Sequence, residues 1–364
     1  MNQFKLYKFL KNIDKILMSL VVFLLLIGLI TLASASQQNI NLIGNQILNI
    51  LIGMSLLISL SHIDPKRFLF YAPYLYIASL ILLLSVAFFG FESHGAKRWI
   101  SILFFNLQPS EIMKITVPLM LAWLYHQLQN NINFRTHTIA FILLAIPSAI
   151  IFKQPDLGTA ILIWIAGCII VFLAGLSKKI IVIFGFCIAL SLPYLWSMLH
   201  LYQQNRILSL IDPSRDPLGT GYHSIQSMIA IGSGGFLGKG WSFGGQTQLN
   251  FLPETSTDFI FSVYGEEFGF LGVILIFLIY FFTLYRSMYM AQKMHNTFSR
   301  LIASGLVFTL FSSIFVNIAM VSGIAPIVGA PLPFISYGGT SMVVSLAMIG
   351  IIMSLYSHKS LIAN

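Results

Sequence analysis

Charged side chains are scarce in this sequence, so the places where they gather are where chemistry is to be sought. Asp258 ends a polar stretch, Glu254-Thr255-Ser256-Thr257, just where a long connection meets an apolar run. A carboxylate held half in lipid has its proton affinity raised by lost hydration and lowered by any nearby Lys or Arg, which is how a general base is poised. With three hydroxyl residues before it, Asp258 also reads as a helix N-cap, and the spacing leaves both readings open.

Three further clusters carry charge. Lys97-Arg98-Trp99 lies in a short loop, Gln108-Pro109-Ser110-Glu111 with Lys114 opens one apolar run, and Lys153-Gln154-Pro155-Asp156 opens another. Each proline marks a helix start, where an acid can cap the helix and complement its dipole. Caps alone do not account for basic residues at the same depth in all three clusters, because charge within a membrane is costly and is kept for pathways or substrates. A shared polar cavity is therefore expected, with Glu111 holding Lys114 and Asp156 holding Lys153.

The string Gly232-Ser233-Gly234-Gly235-Phe236-Leu237-Gly238-Lys239-Gly240 fails as a nucleotide loop. A P-loop needs glycine where Ser233 stands and Ser or Thr where Gly240 stands, and Leu237 occupies the last glycine of the dinucleotide pattern. Turn-forming glycine that admits close backbone approach is the better reading. Cys168 and Cys187 sit singly in apolar runs and the eight histidines are scattered, so neither a disulfide framework nor a histidine metal site is indicated.

These residues need elements to position them. Of 364 residues 57% are apolar and 9% charged, against roughly 25% charged in a soluble domain, so most of the chain must be solvated by lipid. A span needs about 20 apolar residues, and ten runs qualify: 16–35, 42–60, 68–89, 111–128, 138–152, 156–175, 180–199, 258–285, 301–324 and 339–357. The fold class is all-α, a polytopic membrane protein forming a single domain over 1–364, with one long outer loop at about 200–257. Ala33-Ser34-Ala35 resembles a signal-peptidase site, yet the apolar run before it is longer than a signal peptide requires, and an uncleaved anchor is expected. Placing the N-terminus inside puts 13 of the 20 basic residues on the inner side, as the positive-inside rule demands, and sets both termini in the cytoplasm. Nine of the eleven acids then fall on the outer side, which topology rules do not require. The net charge of +9 describes membrane anchoring, and no nucleic-acid partner follows from it. Residues 222–231 predict a short helix, either lying on the membrane surface through Ile225, Met228 and Ile229 or packed on the bundle.

Several strings, read in order, carry a resemblance. Gly95-Ala96-Lys97-Arg98-Trp99-Ile100, Gln108-Pro109-Ser110-Glu111, Gln154-Pro155-Asp156-Leu157-Gly158-Thr159, Asp212-Pro213 through Asp216-Pro217-Leu218-Gly219, residues 251–261 and residues 331–341 are similar to motifs of the SEDS family of bacterial envelope proteins. Gln154 before Pro155-Asp156 and the run Gly221-Tyr222-His223-Ser224-Ile225-Gln226-Ser227 resemble its elongation branch. The resemblance implies a ten-helix inverting glycosyltransferase that polymerises lipid II at the outer face of the bacterial cytoplasmic membrane. The family's essential aspartate falls on Asp258, its fourth-span Glu and Lys on Glu111 and Lys114, and its sixth-span aspartate on Asp156. Lys97, Arg98, Lys153, Arg215, Lys239 and Glu254 are added as candidate substrate contacts. No tightly bound cofactor is implied, although a divalent cation could assist the diphosphate; the partner implied is a class B penicillin-binding protein transpeptidase. A lipid II flippase, favoured by Glu266 and Glu267 deeper in the eighth run, and a non-catalytic scaffold are the alternatives.

Overall fold

The computed structural model describes residues 12–93, 96–102, 105–129, 131–154, 156–176, 220–249, 251–252 and 254–358, with isolated positions between 182 and 208. The expected span at 180–199 therefore falls partly outside the described residues, and Arg215 wholly so.

The other nine apolar runs are helices. They are α1 (Lys15–Ala35), α2 (Ile40–Ser61), α3 (Pro65–Phe89), α4 (Pro109–Gln127), α5 (Phe134–Lys153), α6 (Leu157–Leu173), α9 (Ile260–Gln292), α10 (Thr297–Val321) and α11 (Gly339–Ser357). All but α4 and α6 are long and apolar enough to cross a membrane. The chain is a multi-pass membrane protein. Helix α4 falls short in apolarity because its first turns carry Ser110, Glu111 and Lys114, and α6 because it has 17 residues. Local chemistry sets the boundaries. Asp14, Asn39, Asp64, Asn133 and Asn296 each accept a first-turn N–H with the side chain, and Pro65 and Pro109 stand at first-turn positions where no donor is lost.

Helices α10 and α11 form the centre of the bundle. Between helices in lipid, attraction comes from close packing and hydrogen bonds more than from hydrophobic burial. Accordingly, the buried set of α10 includes Ser304, Gly305, Thr309, Ser312, Ser313 and Asn317, and the hydroxyls of Thr309, Ser312 and Ser313 bond back to carbonyls of their own helix. Helix α11 packs along α2, α3 along α4, and α10 against α4, α6 and α9.

Three features, two of them departures from the sequence reading, bear on function. A small antiparallel sheet, β1 (Phe91–Ser93), β2 (Ala96–Ile102) and β3 (Phe105–Leu107), fills the connection before α4, where an all-α reading expects a loop. The expected short helix is α7 (Thr220–Ser233): Ser227 and Ala230 are buried against the bundle, while Met228 and Ile229 face outward. Third, α9 is broken at Gly269, which adopts φ 63° and ψ −162°.

The glycine-rich string fills that break. Gly238 and Gly269 approach so closely that a β-carbon on either would stand within 2.2 Å of the other segment's backbone. Across the contact Lys239 and Gly240 N–H groups donate to the Glu266 and Glu267 carbonyls, while Phe270 and Leu271 N–H groups donate to Gly235 and Phe236. Trp241 Nε1 donates to the Ile30 carbonyl of α1, so the loop enters the bundle below the helix ends. Irregular backbone at membrane depth survives only where protein satisfies its polar groups, and here each strand of the contact does so for the other. The short helix α8 (Gly245–Gln248) follows.

Candidate functional site

Asp258 does not cap α9. The N-cap position is Phe259, which supplies no side-chain bond, and Asp258 lies in the preceding turn. That turn is held from beneath by a single loop, residues 325–338. Asn317 Nδ2, on α10, donates both to the Asp258 carbonyl (2.9 Å) and to the Ala330 carbonyl (2.6 Å). Ser336 Oγ donates to the Thr257 carbonyl at 2.6 Å, and the Tyr337 N–H donates to the Ser256 carbonyl at 2.9 Å. Gln46 of α2 donates to the Ser336 carbonyl, and Tyr280 of α9 donates to the Pro333 carbonyl at 2.6 Å. The backbone beneath Asp258 is thus fixed by buried hydrogen bonds that involve α2, α9 and α10.

The same loop reaches the second cluster. A β-carbon on Gly158, in the first turn of α6, would stand 2.7 Å from the Val328 carbonyl oxygen. Asp156 caps that helix, accepting from Thr159 N–H (3.2 Å) and Thr159 Oγ1 (2.9 Å), and receives Gln108 Nε2 at 3.2 Å. The sequence reading paired Asp156 with Lys153; the structure corrects this, because the Asp156 oxygens are taken by Thr159 and Gln108 while Lys153 is exposed at the end of α5. Gln108 N–H in turn donates to Thr340 Oγ1, which donates to the Asn106 carbonyl, so α4, α6 and α11 begin beside one another.

Glu111 and Lys114 do pair, at 2.6 Å, with both side chains about 5% exposed. Arg98, on β2, donates from Nε to the Gln154 carbonyl at 3.4 Å, joining the sheet to this end of α5. Lys97 on the same strand is exposed, as is Glu254, whose backbone sits at φ 47° and accepts the Thr257 hydroxyl.

Lys239 stands apart from these groups. Its ammonium meets Glu266 at 2.7 Å; Glu266 is fully buried and also accepts from Gln246 N–H and Thr247 Oγ1. Glu267 accepts from Ser34 Oγ and from Ser242 N–H. Both carboxylates therefore hold the glycine-rich loop to α9, which makes them structural rather than members of a polar path.

Sequence reasoning missed Asn317, Gln46 and Tyr280. The signal for Asn317 and Gln46 was an amide inside an otherwise apolar run, where an unsatisfied group would be costly; Tyr280 gave none. Three helix N-termini at this end, those of α4, α9 and α11, have no side-chain cap. The positive dipole ends of these uncapped helices favour an anion there. Among the described residues no group of three or more His, Cys, Asp or Glu side chains gathers to hold a metal.

The chain matches the cell cycle protein family of FtsW, RodA and SpoVE over residues 14–361. It is 42% identical to the peptidoglycan glycosyltransferase MrdB of Escherichia coli, over 97% of this chain and 96% of that protein. To the probable peptidoglycan glycosyltransferase FtsW of Geobacter metallireducens it is 35% identical, over 95% of each. Among solved structures it is similar to a chain from a peptidoglycan synthase complex described as coordinating polymerization and crosslinking, with a TM-score of 0.83 and 31% identity over 95% of this chain and 98% of that one. The rod shape determining protein RodA of Thermus thermophilus gives a TM-score of 0.73 at 26% identity, over 95% of this chain and 97% of that one.

Proposed function

The chain belongs to the cell cycle protein family of FtsW, RodA and SpoVE, and from that premise we propose that it is a peptidoglycan glycosyltransferase polymerising lipid II into glycan strands at the outer face of the cytoplasmic membrane. Greater identity to MrdB than to FtsW favours the elongation role. The carrying observation is that Asp258 and the first turn of α6, capped by Asp156, meet the 325–338 loop at the end where α4, α9 and α11 begin without side-chain caps.

Asp258 serves as the general base. It takes the proton from the 4-hydroxyl of the acceptor N-acetylglucosamine as that oxygen attacks C1 of the donor N-acetylmuramic acid, and undecaprenyl diphosphate leaves. The donor linkage is α and the product β, so one inverting displacement suffices, as in inverting glycosidases. Charge developing on the diphosphate meets the uncapped first turns of α4 and α11, with Lys114 of α4 and Arg98 of β2 as cations of that end. Glu111 keeps Lys114 charged and oriented in its buried site. A divalent ion would arrive with the diphosphate, since no resident acid cluster is present among the described residues.

The basic-residue asymmetry supports cytoplasmic termini. A transpeptidase of the class B penicillin-binding type is the proposed partner, by likeness to the chain from a synthase complex. The flippase reading loses its support because Glu266 and Glu267 are engaged in holding a loop.

The test is glycan formation from labelled lipid II by the purified protein with its partner, with and without a divalent cation, for wild type and Asp258→Asn. A general base contributes about 10²- to 10⁴-fold, so the variant should lose that much rate while retaining its melting temperature and its complex. Equal glycan ladders from both proteins remove Asp258 from the chemistry.

A further inference from the structure

At the end of the bundle opposite Asp258 lies a cavity of about 270 Å³ whose polar lining is His126, Gln129, His295, Asn296, Thr297 and Ser299. It sits between the last turn of α4 and the first turn of α10. Two of its groups are unsatisfied: Ser299, 3% exposed, has a buried hydroxyl with no hydrogen-bond partner, and the buried Nδ1 of His126 has none either. A buried polar atom without a partner costs about 1–3 kcal/mol, so a cavity bordered by two of them is built for something that supplies hydrogen bonds.

The lining decides the sign of that ligand. Asn296 caps α10 through the Phe298 N–H alone, and the remaining first-turn donors of a helix have no acceptor within it. They point outward with the positive end of the dipole of a 25-residue helix. Imidazoles of His126 and His295, the Gln129 amide and the Ser299 hydroxyl can all donate. None of the lining residues is acidic, no Asp or Glu follows Glu267 in the chain, and none occurs between Glu111 and Asp156. The segments forming the cavity are thus free of competing carboxylates, while Arg300 stands exposed one residue from Ser299.

We propose that this cavity is a binding site for a phosphate-type anion, either the headgroup of an anionic phospholipid or a free phosphate. Such a ligand would tie α4 to α10, the helix whose other end holds the Asp258 turn through Asn317. The assignment stands independently of the glycosyltransferase reading, since it rests on residues about 30 Å along α10 from Asn317.

The test uses the full-length purified protein. Melting in detergent is followed against inorganic phosphate, with chloride at matched ionic strength as control. In parallel, native mass spectrometry counts phosphatidylglycerol retained relative to phosphatidylcholine. Ser299→Ala and His126→Phe should each weaken the responding probe by about tenfold, and the exposed His295→Gln should do so without threatening the fold. A saturable phosphate shift identifies a free-anion site; selective phosphatidylglycerol retention, lost in the variants, identifies a headgroup site. Equal responses in wild type and all variants, or none to either probe, would overturn the proposal.

Discussion

The carboxylate of Asp258 and the backbone of Gly329 lie against each other: a β-carbon on Gly329 would stand 3.3 Å from Asp258 Oδ2, and Gly329 has φ +71°. The residue before it, Val328, presses its carbonyl on Gly158, two positions after Asp156. Two acids 102 positions apart in sequence thus share one loop.

Gly329→Ala should strain the loop by about 1–2 kcal/mol, the cost of the left-handed conformation for an L residue, and crowd Oδ2. Polymerisation is expected to fall in kcat with little change in KM, while the melting temperature drops modestly. Unchanged kcat would show that the Asp258 carboxylate does not depend on this contact.

The Glu111–Lys114 pair separates structure from chemistry. Removing one partner leaves a buried lone charge and should cost about 3–5 kcal/mol, whereas replacing both by apolar residues is often close to neutral. Lys114→Met should lower the melting temperature sharply, and Glu111→Leu with Lys114→Met should restore it. If Lys114 meets the diphosphate, the double variant melts normally and makes no glycan; recovered activity would confine the pair to folding.

Docking of the glycine-rich loop depends on the absence of side chains. A β-carbon on Gly238 would stand 2.1 Å from the Glu267 carbonyl oxygen, and Gly238 has φ +82°. Gly238→Ala should release the loop, part Lys239 from Glu266, expose the buried Glu266 site, and raise proteolytic cleavage near residues 234–249. Cleavage unchanged from wild type would contradict the docking role.

Asp14 and Arg286 join α1 to α9 at 2.6 Å. Burial raises the proton affinity of Asp14, but hydrogen bonds from Arg286 and the Leu17 N–H outweigh it, and the carboxyl is held below its ordinary value. A depressed carboxylate contributes stability above its unfolded pKa of about 3.9, lost as pH falls through the folded value. The melting difference between wild type and Arg286→Met should therefore be full at neutral pH and close below about pH 4. A difference independent of pH would assign the effect to packing.

The sequence by itself determined nine helical apolar runs, several caps and the chemistry-bearing strings. Each follows from local facts: run length against bilayer thickness, an Asn or Asp before a helix, and residue types within about ten positions. Asp258 was legible as a candidate base, but with its N-cap reading equally open, because whether α9 begins at 258 or 260 depends on what holds the turn. Only the tertiary structure decided that, through Asn317, Ser336 and Gly329, which lie 59, 78 and 71 residues further along the chain. It also moved Asp156 from Lys153 to Gln108, and turned Glu266 and Glu267 from candidate pathway groups into anchors of a loop. The reason is common to all of these. Within a membrane every polar group must find a protein partner, that partner usually lies on another helix, and no pattern within one helix reveals which.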